Sequence, residues 1–464
     1  MTAPAPAVRV LWAPWPYRAG FCITDDTDAA TTASVRAVYD ALHEHGLTAT
    51  KTVWAYEPEE PCGIPSTPAS TLRGVTLADP EYLALVRDLA SRGFEVALHG
   101  ASAGNNRRER TIAALDLAGD LFGGTDTFIC HSKNADNLYW EQKVAPNAAL
   151  RRLLSLYSRH ACSGEIEGSP YFWGDVARER VRHIRLFRTR NTNTLAVDPE
   201  MPYFETAKPY VRGWFSATKR SFHDCTTAEA LRRLVDENGL TVLYQYLHRY
   251  ARPDGTVDPV FLADAARLAG ESRIWSATAG AAMARLRQMQ GVVIATRGRE
   301  AWIANAGAGA VHDVQLLVPD GVDASAAGAE RHGEVLRLPS LAAGAVLPLG
   351  LPAPAHFAGA RALRLDAAGR GRRRLGLATA YVNAGDTPWE VAGTTVPAGA
   401  ARLVGDAGYA VDPPLSVPGQ AYRTRLFAGQ MAIITRELAL RRRSMDPEAF
   451  LGAETIPLED HGNW

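Results

Sequence analysis

Five polar residues of this 464-residue chain have the types and positions that hydrolytic chemistry requires. The adjacent carboxylates Asp25 and Asp26 are followed by Asp28, and crowding them is costly unless a divalent cation offsets their charge or one carboxyl stays protonated. His99 and His131 are good zinc ligands through a neutral ring nitrogen. One carboxylate and two imidazoles that hold a metal with open positions form a hydrolytic zinc arrangement.

On this hypothesis the metal lowers the pKa of its bound water to about 7. The second carboxylate then serves as the general base, and another histidine such as His248 can protonate the leaving group. A structural interpretation stays open for each residue, because strand-end histidines are often hydrogen-bonded in cores and Asp-Asp pairs often form turns or helix caps.

The elements that must position these residues are predicted strands. Apolar β-type runs at 20–24, 94–98, 127–130 and 240–247 end at the aspartates, at His99, at His131 and at His248. Helical patterns lie between them at 32–45, 79–93 and 107–121, and the second begins with a capping Asp79. Alternation of strands and helices over 1–290 predicts an α/β parallel sheet or barrel, whose sites lie at the carboxyl ends of the strands.

The rest of the chain has a different pattern. In 291–420, short strand candidates alternate with turns rich in Gly, Pro, Asp and Ala, which predicts a β-sandwich-like domain. The segment 421–464 begins with an amphipathic helix from Tyr422 to Arg443, which we expect to dock on the first domain; a membrane-surface helix is the alternative. One side of this helix carries Phe427, Met431, Ile434 and Leu438.

The composition argues against several classes of protein. The 50 Lys+Arg and 50 Asp+Glu residues balance, which disfavours a nucleic-acid partner. The 5 cysteines form no C-x-x-C pair, so neither a zinc knuckle nor a disulfide framework is indicated. We see no signal-peptide pattern, no apolar run of about 18 residues and no Gly-rich phosphate loop. We therefore expect a cytoplasmic protein without a nucleotide cofactor or a transmembrane segment; homo-oligomerisation stays open.

The segment 23–28, Ile-Thr-Asp-Asp-Thr-Asp, resembles the T-F-D-D-G motif of the polysaccharide deacetylase (NodB-homology, carbohydrate esterase 4-like) superfamily. The stretch 92–100, Arg-Gly-Phe-Glu-Val-Ala-Leu-His-Gly, is similar to the entry to the second family motif, and 240–248 resembles the strand that delivers the catalytic histidine. The resemblance covers roughly residues 15–290. It implies a NodB-like distorted (β/α) barrel, with a β-sandwich-like region and a C-terminal helix after it.

The same resemblance implies metal-dependent removal of an N-acetyl or other acyl group from a sugar-containing small molecule or glycolipid. It implies Asp25 as the base, Asp26 and His99 as metal ligands, and His248 as the catalytic histidine. The expected cofactor is a divalent metal, with Zn²⁺ favoured.

Two departures from the family pattern predict a divergent member. The second motif, H-x-x-x-H, would place a metal ligand at position 103, where this chain has Ala103. Asn105, Asn106 and His131 are the nearest later candidates, and we predict His131 because it follows a strand and imidazole suits zinc better than an amide. Thr27 replaces the glycine of the first motif.

Aromatic rings that stack on sugar faces and polar groups that hydrogen-bond them would suit a carbohydrate. The same residue types are common in cores and turns, so both interpretations stay open. The candidate substrate-binding residues are Arg108, Asn134, Trp140, Trp173, Asn193 and Trp214.

Four other functions compete with a deacetylase. A G-x-S-x-G segment would make Ser102 the nucleophile of an α/β-hydrolase-type esterase. The D-x-D run that begins at Asp26 could bind a nucleotide sugar in a glycosyltransferase. A glycoside hydrolase could pair Asp25 with Glu165 or Glu167. The chain could also be a non-catalytic carbohydrate-binding protein on a deacetylase scaffold.

Overall fold

The computed structural model describes residues 7–62, 74–131, 134–140, 145, 147–155, 162–319, 324–351, 356–358, 362–405 and 420–444. The strands up to residue 276 are β1 (Ala7–Leu11), β2 (Ala19–Asp25), β3 (Thr50–Val53), β4 (Glu95–Leu98), β5 (Thr127–Phe128), β6 (His183–Thr189), β7 (Trp214–Thr218), β8 (Leu240–Gln245) and β9 (Ile274–Ser276). The helices between them are α1 (Thr32–Glu44), α2 (Pro80–Ser91), α3 (Arg108–Phe122), α4 (Ala148–Ser155), α5 (Gly174–Arg180), α6 (Thr194–Val197), α7 (Phe222–Thr226), α8 (Ala228–Asp236), α9 (Pro259–Gly270) and α10 (Ala279–Met289).

Seven of these strands form a closed parallel barrel. Their order is β3-β4-β5-β6-β7-β8-β2, and β2 also pairs with β3, which completes the ring. β9 adds to the outer edge of β2. The barrel is distorted, because β5 has only two residues and β6 has a register shift between Arg185 and Phe187. The predicted fold class is confirmed: a distorted (β/α) barrel followed by a β-rich region and a C-terminal helix.

Local sequence accounts for the helices that flank the barrel. Thr31 caps α1 through a reciprocal capping box with Ser34. Asp79 caps α2 and Pro80 takes the first helical position, as the sequence predicts. α1 and α2 each bury one stripe of side chains; in α1 this stripe is Val35, Val38, Tyr39, Ala41 and Leu42.

The β-rich region is built from three packed layers. Its strands are β10 (Val292–Arg297), β11 (Glu300–Asn305), β12 (Val311–Leu317), β13 (Ser325–Ala326), β14 (Glu330–His332), β15 (Val335–Leu341), β16 (Val346–Gly350), β17 (His356–Ala358), β18 (Ala362–Arg364), β19 (Arg370–Leu375), β20 (Ala378–Asn383), β21 (Trp389–Val391), β22 (Thr394–Val396) and β23 (Ala400–Gly405). The sheet orders are β14-β15-β12-β1-β17, β13-β16-β11-β10-β18 and β19-β20-β23. β10 is apolar on both sides because Ile294 packs into one core and Val293 into the other.

The first strand of the chain lies in this β-rich region, although its residues fall within the range predicted for the first domain. β1 pairs antiparallel with β12, with Arg9 opposite Leu317. Arg285 of α10 donates to the backbone oxygens of Trp12 and His312, which joins the barrel to this region. The predicted limits of the three domains stay predictions.

The C-terminal helix α11 (Gln420–Ser444) packs against β6. Its Tyr422 hydroxyl donates to Asp198 Oδ1 at 2.6 Å, and Gln430 Oε1 accepts from the backbone N–H of Arg188 at 2.8 Å. Phe427 is buried, as expected of a docked helix, whereas the side chains of Ile434 and Leu438 lie outside the description. Across the described parts of the chain, no helix is both long and apolar enough to cross a bilayer.

Candidate metal centre

Asp28, His99 and His131 form a compact cluster at the carboxyl end of the barrel strands. Asp28 follows β2, His99 follows β4 directly, and His131 lies shortly after β5. Their candidate ligand atoms all lie within 4.8 Å of one another, and both histidine Nε2 atoms are 3.5 Å from Asp28 Oδ1. Both histidines are 0% exposed, whereas Asp28 is 9% exposed. The cluster therefore offers three ligand atoms around one point, with Asp28 on the side that solvent reaches.

Hydrogen bonds at Nδ1 orient both imidazoles. His99 Nδ1 lies 2.7 Å from the backbone oxygen of Ile129, and His131 Nδ1 lies 3.0 Å from Asn134 Oδ1. The Asn134 Nδ2 group donates to the backbone oxygen of Ser102, which fixes the orientation of that amide. Both histidines therefore carry their proton at Nδ1 and present a lone pair at Nε2.

The two Nε2 atoms are buried and have no hydrogen-bond partner within the described ranges. Imidazoles that bind a metal through one nitrogen usually donate the other N–H to a carbonyl or carboxylate, as His99 and His131 do to oxygen acceptors here. Together with Asp28 they make a two-imidazole, one-carboxylate donor set that suits a first-row divalent metal. The residues present fit such an ion.

The charges at the cluster act differently on the two rings. Burial lowers the pKa of His131, and the nearby Asp28 carboxylate does not reverse this. Burial also disfavours the charged form of His99, but the negative charges of Asp26 and Asp28 outweigh it and raise the pKa of His99. The carboxylates thus favour a positive charge at this point, which a divalent ion bound to neutral imidazoles would also supply.

Asp26 lies beside the cluster and forms a buried ion pair. Its Oδ1 and Oδ2 atoms accept from the two terminal nitrogens of Arg185 at 3.0 and 2.8 Å. Its Oδ2 is 3.8 Å from His99 Nε2. The predicted ligand set includes Asp26. In the structure, Asp28 is the carboxylate that faces both imidazoles, whereas both oxygens of Asp26 accept from Arg185.

Asp25, the predicted base, points into a separate polar cluster. Its Oδ2 accepts from Lys51 Nζ at 2.8 Å and from the Tyr39 hydroxyl at 3.0 Å, and its Oδ1 accepts from the backbone N–H of Leu247 at 2.7 Å. Lys51 is 0% exposed, and although burial disfavours its charge, Asp25 raises its pKa. The carboxylate of Asp25 therefore links β2 to β3, to α1 and to the segment after β8.

His248 lies in a 3₁₀ turn that follows β8. The side chain is half-buried, and its Nδ1 has no hydrogen-bond partner among the described residues. Burial lowers the pKa of His248 to about 4, and the charges of Asp25 and Asp28 partly oppose this shift. The ring is therefore neutral at neutral pH and within electrostatic range of two aspartates at this end of the barrel.

The predicted substrate-binding residues are scattered. Asn134 is hydrogen-bonded to His131 Nδ1 and so orients one imidazole of the cluster. Arg108 forms a bidentate ion pair with Asp175 at 2.7 Å. Trp140 is 9% exposed, and Trp173 is 0% exposed with its indole N–H on a backbone oxygen.

The other two candidates lie at the opposite end of the barrel. Asn193 caps α6 and accepts from the backbone N–H of Leu240, the first residue of β8. Trp214 is the first residue of β7 and is 0% exposed. Parallel strands place these residues a full strand length from Asp26. The structure therefore does not bring them to the metal cluster.

The rival catalytic residues are engaged elsewhere. The Ser102 hydroxyl is 0% exposed and donates to Asn106 Oδ1 at 2.6 Å. Glu165 accepts from the backbone N–H of Tyr139, and Glu167 accepts from the Tyr210 hydroxyl.

Sequence reasoning missed two charged partners, Lys51 of β3 and Arg185 of β6, and it did not place Asp28 among the candidate metal ligands. Lys51 and Arg185 are buried cations in strands, and a charged residue inside an apolar strand pattern was the available signal. Their partners could not be found from spacing, because Arg185 is 159 residues from Asp26 along the chain.

No protein-family model matches the chain, and no curated protein matches it. A crystal structure described as a polysaccharide deacetylase from Mycobacterium smegmatis is similar at 11% identity with a TM-score of 0.33, over 61% of this chain and 94% of that one. Puue allantoinase is similar at 11% identity with a TM-score of 0.31, over 58% and 91%. The α-glucosyl transfer enzyme XgtA is similar at 14% identity with a TM-score of 0.24, over 73% and 100%. Likenesses this low carry no inference about family or activity.

Proposed function

We propose that this protein is a metal-dependent hydrolase that removes an N-acetyl or other acyl group from a sugar-containing substrate. The observation that carries the proposal is the pair of buried Nε2 atoms of His99 and His131, which face Asp28 and have no hydrogen-bond partner in the described part of the chain. Burying such atoms costs free energy unless a ligand satisfies them. A divalent metal is the ligand that suits two imidazoles and a carboxylate.

Asp28, His99 and His131 would hold the metal, and three protein ligands leave positions open for water and substrate. A divalent metal, when bound, supplies a Lewis acid that lowers the pKa of water and polarises an acyl carbonyl. Zinc is the first metal to test, because it accepts nitrogen and oxygen ligands in this number.

We assign Asp26 as the general base in place of Asp25. The Asp26 carboxylate lies next to the cluster, 3.8 Å from His99 Nε2. Each of its oxygens accepts one N–H from Arg185 and keeps a lone pair for a proton from the attacking water. Arg185 holds the plane of the carboxylate through this bidentate contact.

We assign His248 to the leaving-group side. Because its pKa is about 4, the neutral ring would donate a hydrogen bond and orient the substrate amide without carrying the transferred proton. The proton that Asp26 accepts from water is then the one available for the leaving amine. The proton taken from water therefore ends on the leaving amine, and Asp26 is free to accept another proton in the next turnover.

The proposal that the substrate contains a sugar rests on the sequence resemblance to polysaccharide deacetylase motifs, which lies in residues 23–28, 92–100 and 240–248. On this resemblance the chain is a divergent member of that superfamily. We propose a cytoplasmic sugar-containing small molecule or glycolipid as the substrate class.

The test is acetate release from a panel of N-acetylated sugars by the full chain, first stripped with a chelator and then reloaded with Zn²⁺ or Co²⁺. We expect release only after reloading. Asp26→Asn should keep the metal and lose about 10²- to 10⁴-fold in rate, whereas Asp236→Asn, an exposed carboxylate, should match the wild type. Acetate release from metal-free protein, or full activity of folded Asp26→Asn, would contradict the proposal.

A further inference from the structure

A chain of buried hydrogen bonds links His131 to Asp136, a carboxylate outside the metal cluster. His131 Nδ1 lies 3.0 Å from Asn134 Oδ1, and Asn134 Nδ2 donates to the backbone oxygen of Ser102 at 3.2 Å. The Ser102 hydroxyl donates to Asn106 Oδ1 at 2.6 Å. Asn106 in turn contacts Asp136 twice: its backbone N–H donates to Oδ1 at 2.9 Å, and its Nδ2 donates to Oδ2 at 3.3 Å.

The members of this hydrogen-bond chain are withdrawn from water. Asp136 is 1% exposed, and the other four residues are 0% exposed. Asn106 has a single orientation, because its oxygen accepts from Ser102 while its nitrogen donates to Asp136 and to the backbone oxygen of Gly104. Breaking one bond of a buried network leaves a polar group without a partner and without water to replace it. A change at Asp136 should therefore be transmitted toward His131.

The same bonds join the two segments that carry the histidine ligands. Segment 99–106 begins with one ligand, and segment 134–137 follows the other. Asn105 Oδ1 accepts from the backbone N–H of Ala135 at 2.8 Å, which adds a second link beside that of Asn106. Asn105 and Asn106, which the sequence offered as alternative metal ligands, thus hold these segments together.

Asp136 is itself held from the other side. Its backbone oxygen accepts from the indole N–H of Trp173 at 2.6 Å, and Trp173 is 0% exposed. The backbone of Gly164 lies so close to this oxygen that a side chain at position 164 would collide with it. These contacts fix the backbone of Asp136, so its carboxylate offers Asn106 an acceptor at a constant position.

A carboxylate is a costly choice at this position. Burial raises the pKa of Asp136 to about 7, and the N–H groups of Asn106 oppose this shift by favouring the ionised form; the charge of Glu60 adds to the effect of burial. An ionised acceptor forms a stronger hydrogen bond than an amide oxygen does. The gain from the carboxylate is therefore a stronger bond to Asn106.

We propose that Asp136 is a positioning residue that orients His131 toward the metal through this hydrogen-bond chain. The inference rests on the proposed function and deepens it, because it extends the metal centre beyond Asn134, the residue that contacts the ligand. It also gives Ser102 a role other than that of a nucleophile.

The first measurement is NMR of the full chain with isotopically labelled histidine, at about pH 8, where the Asp136 carboxyl is mostly ionised. The Nδ1–H signals of His99 and His131 are assigned by their loss in His99→Ala and His131→Ala. Asp136→Asn should shift the His131 signal more than the His99 signal, because His99 Nδ1 bonds to the backbone oxygen of Ile129, outside the chain of bonds. Spectra recorded with and without zinc make this test independent of metal binding.

The second measurement is zinc affinity by competition with a chelator. Asp136→Asn should weaken zinc binding by about 10-fold, the lower range for changes outside the ligand shell. In the Asn134→Ala background, where the last link is already broken, the same substitution should add almost nothing, because residues of one network are not additive. A purely structural role of Asp136 would give additive losses.

Asp198→Asn is the matched control. Asp198 is a 0% exposed carboxylate that accepts from the Ser216 hydroxyl at 2.6 Å and from Tyr422, on the side of the barrel where α11 packs. This substitution should leave zinc affinity and both histidine signals unchanged. If Asp136→Asn does not fold, Ser102→Ala, which removes one oxygen from the chain of bonds, decides in its place and should shift the His131 signal selectively.

An unmoved His131 signal in the folded variant would overturn the inference, and so would additive losses of zinc affinity in the double variant. Equal shifts in Asp198→Asn would overturn it as well, because the His131 signal would then report any buried carboxylate. A selective shift in a protein that binds no zinc would support the orienting role of Asp136, and only the proposed metal-dependent function would fail.

Discussion

Asn193 at the amino end of the barrel and His99 and His131 at its carboxyl end are all buried polar residues, but they differ in how many of their hydrogen bonds are made. At the amino end, Asn193 uses both ends of its amide: its oxygen accepts from the backbone N–H groups of Ala196 and Leu240, and its nitrogen donates to Glu237. At the carboxyl end, His99 and His131 use only Nδ1 and leave Nε2 buried without a hydrogen bond among the described residues. The number of bonds left unmade, and not burial or polarity, separates Asn193 from these two histidines.

This difference gives a criterion for function. A polar group such as Asn193, whose side-chain oxygen and nitrogen both have hydrogen-bond partners in the protein, stabilises the fold and gains nothing from a ligand. Buried atoms without a hydrogen-bond partner cost free energy, and where several metal-ligating atoms converge on one point, as in the cluster of Asp28, His99 and His131, a single bound ligand can offset that cost. Substitutions at either end of the barrel test this criterion.

The largest effect should come from the ligands themselves. His99→Ala and His131→Ala should each weaken zinc binding by more than about 100-fold, the upper range for changes outside the ligand shell. The measurement is zinc affinity by competition with a chromogenic chelator, together with zinc content after dialysis. His43→Ala, an exposed histidine on α1, is the control and should bind zinc as the wild type does.

If His99→Ala and His131→Ala both kept wild-type zinc affinity, the cluster would not be a metal site, and the unsaturated Nε2 atoms would need another ligand. Loss of zinc by His43→Ala as well would mean that the measured metal binds adventitiously. Either result would break the comparison between the two ends.

The sequence was sufficient for the fold because each barrel element is locally specified. β2, β4 and β8 are apolar runs, and the helices between them carry caps and buried stripes that need no tertiary information. His99 and His131 were found because a parallel barrel brings its strand ends together, so position relative to a strand predicts proximity.

The sequence could not divide the roles among the aspartates. Asp25, Asp26 and Asp28 are neighbours in sequence, and their roles depend on partners from other strands: Lys51 for the first and Arg185 for the second. These pairings depend on barrel closure and on the register of β6, which local pattern does not encode. The pairing of β1 with β12 is a further long-range contact that local pattern does not encode.

Asp25 extends the comparison, because it lies at the carboxyl end and yet its carboxylate accepts three hydrogen bonds from the protein. Asp25→Asn leaves the buried charge of Lys51 without its carboxylate and should cost about 3–5 kcal/mol of unfolding free energy. Asp25→Asn combined with Lys51→Met should recover much of that loss, since both charges are then removed. Chemical denaturation measures the three proteins side by side.

The zinc affinity of the double variant, and its rate once folded, test the role of Asp25 directly. We expect both to stay near wild type, as a structural carboxylate requires. A double variant that is stable and zinc-loaded but inactive would identify Asp25 as the general base, as the family resemblance implies.

Asn134 tests whether orientation at Nδ1 matters to the cluster. Asn134→Ala removes the acceptor that holds His131 in the Nδ1–H form, so zinc affinity should fall by about 10- to 100-fold. The same chelator competition measures it, and Asn134→Asp, which keeps an acceptor oxygen, should retain more affinity than alanine. Unchanged affinity in Asn134→Ala would show that His131 needs no outer-shell partner.

The smallest effect is expected from the substitution of Asn193, at the amino end of the barrel. Asn193→Ala removes the cap of α6 and the bond to β8, so the unfolding free energy should fall by about 0.5–2 kcal/mol. Zinc affinity and acetate release should not change, because the metal cluster lies at the other end of the strands. Asn134→Ala is the crossed control: it should change zinc affinity more than stability, whereas Asn193→Ala should change stability alone. If Asn193→Ala lowered zinc affinity as much as Asn134→Ala does, the two ends would be coupled through β8, and saturation would no longer distinguish structural residues from functional ones.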